Sequence, residues 1–374
     1  MPLRKIALAV ILSFAAIAAR AQSPAGTSFD LHVPAPPMIL AVAEGTRLVY
    51  ELHLGNFARH DLQPVRVEVL DGARGRVLAS FEGPALEQRL DRSGLQWNAE
   101  SFPAIPSGRR GVVFIELTMP GAPPRTLRHR VGYLDGTAGG GVHAVEGGEV
   151  GVVAGKTPVL APPLEGGPWV AIHDPRWQRG HRRVGYALSG KLRTPGRHAI
   201  DFVKLDADGR KAPAGGNLAA GAYSHGQPVL AVAGGVVVRV EDGFPERARL
   251  TDRVDGVEGN RVVIALDGGQ YAHYGHLRPG SARVAPGARV RAGDRIADVG
   301  FSGSASDPQL HFALTDGPDE LASEGLAYTF AHYRLLGGYG DVSQVGATGW
   351  TPTDKPASAH ALMPAPMSVI DWRK

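Results

Sequence analysis

Apolar and polar residues alternate with a period of two through much of the chain. Leu48, Tyr50, Leu52 and Leu54 alternate with Arg47, Val49, Glu51 and His53, and Val65, Val67 and Val69 flank Arg66 and Glu68. Val112 to Met119 is a further β-branched and aromatic run. Successive side chains of a strand point to opposite faces, so this pattern predicts half-buried strands. Turn signals such as Asp71-Gly72 and Pro106-Ser107-Gly108 separate them. Fifty glycines and 29 prolines interrupt nearly every helical stretch. The expectation is an all-β protein in which residues 28–135 form an antiparallel, immunoglobulin-like β-sandwich. No catalytic constellation occurs in that part, which reads as a spacer or interaction domain.

Residues 136–166 are rich in Gly, Ala, Val and Pro and read as a linker or a loosely paired connecting strand. A second β-rich block follows over 167–333. Residues 334–374, with Ala-rich and Pro-rich pieces between Lys355 and Pro366, read as a wrapping or partly ordered tail.

The N-terminus has the form of a secretory signal over residues 1–21. Arg4 and Lys5 precede an apolar run from Ile6 to Ala19, and Ala19-Arg20-Ala21 is a small-x-small cleavage site. The run is about 14 residues long, short of the roughly 20 that a membrane span needs. The mature protein is therefore expected to be exported, to the periplasm, with no membrane span. Cleavage would remove Arg4, Lys5 and Arg20 and no acidic residue, which lowers the formal charge from +4 to +1. That balance argues against a nucleic-acid partner. Arg109-Arg110 and Arg182-Arg183 read as solvated strand edges or turns. The chain has no cysteine, which excludes disulfides, thiol catalysis and thiolate metal ligands, so a metal would be held by His and carboxylate.

Four pieces of the second block carry candidate chemistry. They are Arg197-His198-Ala199-Ile200-Asp201-Phe202; His225 to Val232 with Gly234-Gly235-Val236-Val237; Gly259 to Ile264 leading to Tyr271-Ala272-His273-Tyr274-Gly275-His276-Leu277; and Val284 to Gly303 followed by Gln309-Leu310-His311-Phe312. The Gly-punctuated pattern at Val284, Gly287, Val290, Gly293, Asp294 and Ile296 suits short strands that fold back tightly, as in biotinyl and lipoyl carrier domains. A carrier also needs a lysine at its hairpin tip, and none lies between Lys211 and Lys355.

Together, over about residues 197–315, the pieces resemble the lysostaphin or LytM-type zinc endopeptidases, which cut peptide cross-links of bacterial peptidoglycan. The resemblance implies a lysostaphin-like hybrid β-barrel (a duplicated hybrid motif) in the C-terminal part. The family pattern pairs His-x-x-x-Asp with His-x-His. Carried over, Asp201 and His311 match zinc ligands and His276 matches a histidine that assists catalysis. Arg197 stands where the first ligand belongs, and Gln309 where a catalytic histidine belongs, so the resemblance is to a degenerate site. Arginine stays protonated beside a cation and would pair with Asp201 in place of the metal. Glutamine cannot exchange a proton near neutral pH.

Three functional expectations follow. The first is a catalytically impaired, peptidoglycan-directed protein that binds cell-wall peptide or a wall hydrolase. The second is an active zinc endopeptidase with a rewired ligand set of His198, Asp201 and His311, assisted by His276. His198 would face away from Asp201 on a regular strand, and a bent chain would turn it inward. The third is a binding or assembly module unrelated to the wall. Alternation places His273 on the opposite face from His276, in a structural role.

Overall fold

A computed structural model describes residues 28–92, 104–135, 141–155, 157–174, 177, 180–252 and 259–373. The expected signal sequence lies outside the described residues. Among the described residues no helix is long and apolar enough to cross a membrane.

The all-β expectation holds. Among the described residues, nine strands build the N-terminal part: β1 (Phe29–His32), β2 (Ile39–Val42), β3 (Gly45–Asn56), β4 (Leu62–Asp71), β5 (Val77–Glu82), β6 (Leu90–Arg92), β7 (Arg110–Met119), β8 (Thr126–Asp135) and β9 (Val142–Gly151). They form one sheet ordered β1-β3-β7-β6, with β2 also on β3, and a second ordered β5-β4-β8-β9. Leu48, Tyr50, Leu52 and Leu54 of β3 meet Val67, Val69 and Val131 of the facing sheet in one core, as their alternation requires. β9 falls within the segment read as a linker or a loosely paired connecting strand, and it pairs along β8 from Leu134↔Val142 to Thr126↔Gly151. Its half-buried residues conceal the period that would mark a strand.

The other strands are β10 (Val159–Leu160), β11 (Trp169–Ile172), β12 (Tyr186–Leu188), β13 (Lys191–Arg193), β14 (Ile200–Lys204), β15 (Pro228–Leu230), β16 (Gly235–Glu241), β17 (Asn260–Leu266), β18 (Tyr271–Leu277), β19 (Arg289–Val290), β20 (Arg295–Asp298), β21 (Leu310–Thr315), β22 (Thr329–Phe330), β23 (Tyr333–Gly338), β24 (Thr351–Ala359) and β25 (Ser368–Asp371). Ten form a sheet ordered β19-β16-β17-β18-β21-β14-β11-β25-β23-β24. One face packs Phe202, Tyr274 and Phe312 together with Phe330 and Trp372 into the main core. Elsewhere Val170, Val203, Tyr339 and Val369 form a smaller one.

The last forty residues differ from the tail expected of them. β25 pairs with both β11 and β23 inside the large sheet, and Trp372 stacks edge-on against Phe202 and Phe330. A strand of four residues is long enough to be buried but too short to show a period.

The two parts are docked. β3 sends its apolar row into the sandwich, and its other row faces the second block, where Val49, Glu51 and His53 are buried. Glu51 is 2% exposed, an unusual setting for a carboxylate unless it is paired.

Candidate metal centre

Strands β14, β21 and β18 lie side by side, with Asp201 opposite His311 and His311 opposite Gly275. Alternation sends Ile200, Phe202, Phe312 and Tyr274 into the core and turns Asp201, His311 and His273 toward a cleft of about 720 Å³. Gly275 leaves space for His311, because a Cβ there would sit 3.3 Å from the His311 Cβ. His276 has φ of 61°, in the left-handed region that non-glycine residues seldom enter. That twist breaks the alternation, so His276 and His273 line the same cleft. The expectation that they face apart is corrected, since it assumes extended backbone throughout.

A further residue arrives from outside these strands. His181 opens a 3₁₀ turn, His181–Arg183, and its Nε2 lies 3.3 Å from Asp201 Oδ2. His311 Nδ1 lies 2.8 Å from Asp201 Oδ1. One ligand atom each from His181, Asp201 and His311 lies within 4.8 Å of the others. Two imidazoles and a carboxylate are a composition that catalytic zinc accepts, with a fourth position open. The far nitrogen of His311, Nε2, lies 2.9 Å from Glu320 Oε1. This carboxylate fixes the ring so that Nδ1 faces the cluster, the outer contact that metal-bound histidines recruit. The residues present therefore fit a zinc ion.

The electrostatics show how the cluster holds its charges. Burial would raise the Asp201 pKa, but His181 and then His311 reverse this and hold it well below the ordinary carboxylate value. Burial opposes charge on His311, and Glu320 and then Asp201 outweigh it, raising the imidazole well above its usual pKa. Each charge in the cluster is thus compensated by its neighbours, and a metal at His311 Nδ1 would take the place of the proton there. His276 is different. Burial, then the charge of His311, holds its pKa down at about 4, so it is neutral at pH 7. Its Nδ1 lies 2.9 Å from the Ser302 carbonyl oxygen, which can only accept. Nδ1 therefore donates, and Nε2 keeps its lone pair. His273 Nε2 lies 2.8 Å from Thr315 Oγ1.

The other expected site residues lie elsewhere. The chain bends at Arg197 as a 3₁₀ turn, Pro195–His198, but His198 is not among the ligand atoms brought together. It is buried and lines a cavity of about 40 Å³ with His173, Leu40 and Met363. Burial, followed by the charges of Arg197 and Arg182, lowers its pKa to about 3. Arg197 does not pair with Asp201. It donates to Glu51 Oε2 at 2.7 and 3.0 Å, to Glu51 Oε1 at 3.3 Å and to Glu324 at 3.0 Å. Gln309 is 3% exposed, and its Oε1 accepts from Ser306 Oγ at 3.4 Å. Arg182, expected to be solvated, is buried and donates to Glu51 and to the carbonyls of Tyr50 and Ile115.

Sequence reasoning missed His181 because it stands twenty residues before Asp201, outside any three-residue ligand spacing. Its one local signal is the Gly180-His181 step into a turn. Glu320 was missed likewise, in a polar turn after the last His strand.

Residues 217–322 match peptidase family M23. No curated protein matches the chain. Among solved structures, the chain is similar to the catalytic domain, in a single-residue mutant, of the prophage-encoded M23 protein EnpA from Enterococcus faecalis, at 24% identity over 44% of this chain and 92% of that one, with a TM-score of 0.27. It is similar to the catalytic domain of the antimicrobial peptidase lysostaphin from Staphylococcus simulans, at 21% identity over 38% and 85%, with a TM-score of 0.24. A third is the M23 metalloprotease pseudoalterin from the deep sea, at 14% identity over 55% and 96%, with a TM-score of 0.29.

Proposed function

With residues 217–322 matching peptidase family M23, we propose that this chain is an exported, periplasmic zinc endopeptidase directed at the peptides of peptidoglycan. Its metal ligands are His181, Asp201 and His311. The observation that carries this reading is the convergence of those three ligand atoms within 4.8 Å, which supplies the third ligand that Arg197 cannot.

A bound zinc ion supplies Lewis acidity and a water acidified to a pKa of about 7. The chain's own residues do the rest. Glu320 holds the His311 ring in one tautomer. His276 presents the Nε2 lone pair as a hydrogen-bond or proton acceptor beside the cluster, its ring centroid 5.8 Å from that of His311. The cleft around them is mostly apolar, with Trp177, Val184, Tyr186 and Leu321 on its walls. An extended peptide with small or apolar side chains suits that lining, and its carbonyl would lie over the polar floor.

The test is release of free amino groups from purified peptidoglycan by the full chain. Cleavage is expected with the wild-type protein and lost in His181→Ala and His311→Ala. Cleavage that survives His181→Ala contradicts the ligand set.

A second reading is binding of wall peptide without cleavage, and Gln309 favours it, because the amide cannot move a proton. Zinc-loaded protein that retains wall fragments but releases no amino groups, and gains cleavage in Gln309→His, selects this reading.

A further inference from the structure

Arg182 and Arg183 immediately follow the ligand His181, and both are anchored on the N-terminal sandwich. The Arg182 guanidinium donates to Glu51 Oε1 at 3.3 Å, to the Tyr50 carbonyl at 2.9 Å and to the Ile115 carbonyl at 2.7 Å. Arg183 donates to the Gln88 carbonyl at 2.6 Å and lies over the Phe114 ring at 4.2 Å. Every one of these partners belongs to the sandwich. Inside the second block, the turn bearing His181 lies against the turn bearing Arg197. A Cβ on Gly196 would sit 2.6 Å from the His181 Cβ and from its carbonyl oxygen. Arg197 in turn grips the same Glu51 and ties it to Glu324 and the Gly325 carbonyl.

Among the described residues His181 lies in no strand. Asp201 and His311 stand on adjacent strands in register, whereas His181 stands on a turn three residues long. Its position is defined from behind by a buried Arg-Glu-Arg clamp whose central carboxylate belongs to another domain.

We propose that the N-terminal sandwich is part of the metal site: Glu51 and Arg182 are positioning residues that hold His181 within reach of Asp201 and His311. This rests on the zinc site proposed above. It gives the sandwich a role beyond spacing or partner binding, because a chain without it would keep two strand-borne ligands and lose the placement of the third. The arginine at 197, which occupies the expected ligand position, becomes the second arm of the clamp.

The experiment is zinc affinity of the full chain, measured by chelator competition, with the cobalt(II) absorption spectrum as an independent view of ligand geometry. Wild type, His181→Ala, Arg182→Met, Arg182→Lys and Glu51→Gln are compared, each checked for a cooperative thermal transition. Arg182→Met is expected to weaken zinc about 10–100-fold, the usual effect of losing an outer-shell partner, and to alter the cobalt band. Arg182→Lys keeps the charge without the planar fork and should fall between. If Arg182→Met does not fold, Glu51→Gln, which is nearly isosteric, carries the comparison. Clamp variants that fold and bind zinc as tightly as wild type, while His181→Ala loses it, overturn the clamp alone. A wild-type chain that binds no zinc, or whose affinity is indifferent to His181→Ala, overturns the metal site and the clamp with it.

Discussion

Replacing Glu51 by alanine tests the docking of the N-terminal part on the second block by stability alone. Glu51 is 2% exposed and accepts from Arg197 at 2.7 and 3.0 Å and from Arg182 at 3.3 Å. Burial would raise its pKa, but Arg197 and then Arg182 override burial and hold it at about 2, against 4.5 for a free glutamate. That difference corresponds to about 3 kcal/mol in favour of the ionised form in the folded state. Breaking a buried ion pair by removing one partner costs about 3–5 kcal/mol, since the other charge is left buried and unpaired. The two routes agree, so Glu51→Ala should lower the unfolding free energy by about 3–5 kcal/mol at pH 7. The sign with pH follows from a depressed carboxylate. The contribution is complete above about pH 4.5 and fades as pH falls toward 2.

The assay is urea unfolding of the full chain followed by far-ultraviolet circular dichroism. A triple variant, Glu51→Met with Arg182→Met and Arg197→Met, removes the unpaired charges along with the pairs and should recover most of the loss. A Glu51→Ala cost under about 1 kcal/mol, the worth of a solvent-exposed pair, would refute the reasoning, because both arginines would then have access to water.

Glu320→Ala should weaken zinc binding about 10–100-fold without abolishing it, read by the same chelator competition, since it orients His311 without being a ligand. The sandwich should carry its own acid sensitivity. His129 Nε2 lies 2.8 Å from the Tyr50 hydroxyl and Nδ1 3.0 Å from the Gly148 carbonyl oxygen, an arrangement for neutral imidazole. Burial lowers its pKa to about 4 from 6.5, partly opposed by backbone hydrogen bonds. The neutral form is thus preferred in the fold, and its contribution, about 3 kcal/mol, is present above pH 6.5 and lost as pH falls to 4. His129→Gln should flatten the stability profile across that window by a comparable amount, and an unchanged slope would count against it.

The sandwich core was legible because β3 and its partners keep one apolar face, and a period of two survives in the residues themselves. The same alternation says only that the other row of β3 leaves the sandwich core, not what it meets. Nothing local distinguishes Glu51 facing water from Glu51 facing two arginines that lie 131 and 146 residues away. Arg182 was misread as a surface turn on the same ground. Asp201, His311 and His276 could be placed because strand order and the motifs around them carry the family pattern. His181 could not, since a ligand supplied by a separate turn needs three-dimensional closure and leaves no spacing. The C-terminal strands were obscured by exposure and proline. β24 is largely exposed and contains Pro352 and Pro356, while β25 has only four residues.

The most direct measurement is zinc per chain by native mass spectrometry, on protein purified without chelators or a histidine tag. The account predicts one zinc in the wild type, lost in His181→Ala as well as in Asp201→Ala and His311→Ala, and retained in His198→Ala. A chain that binds no zinc when zinc is supplied, or that keeps its zinc in His181→Ala, contradicts it.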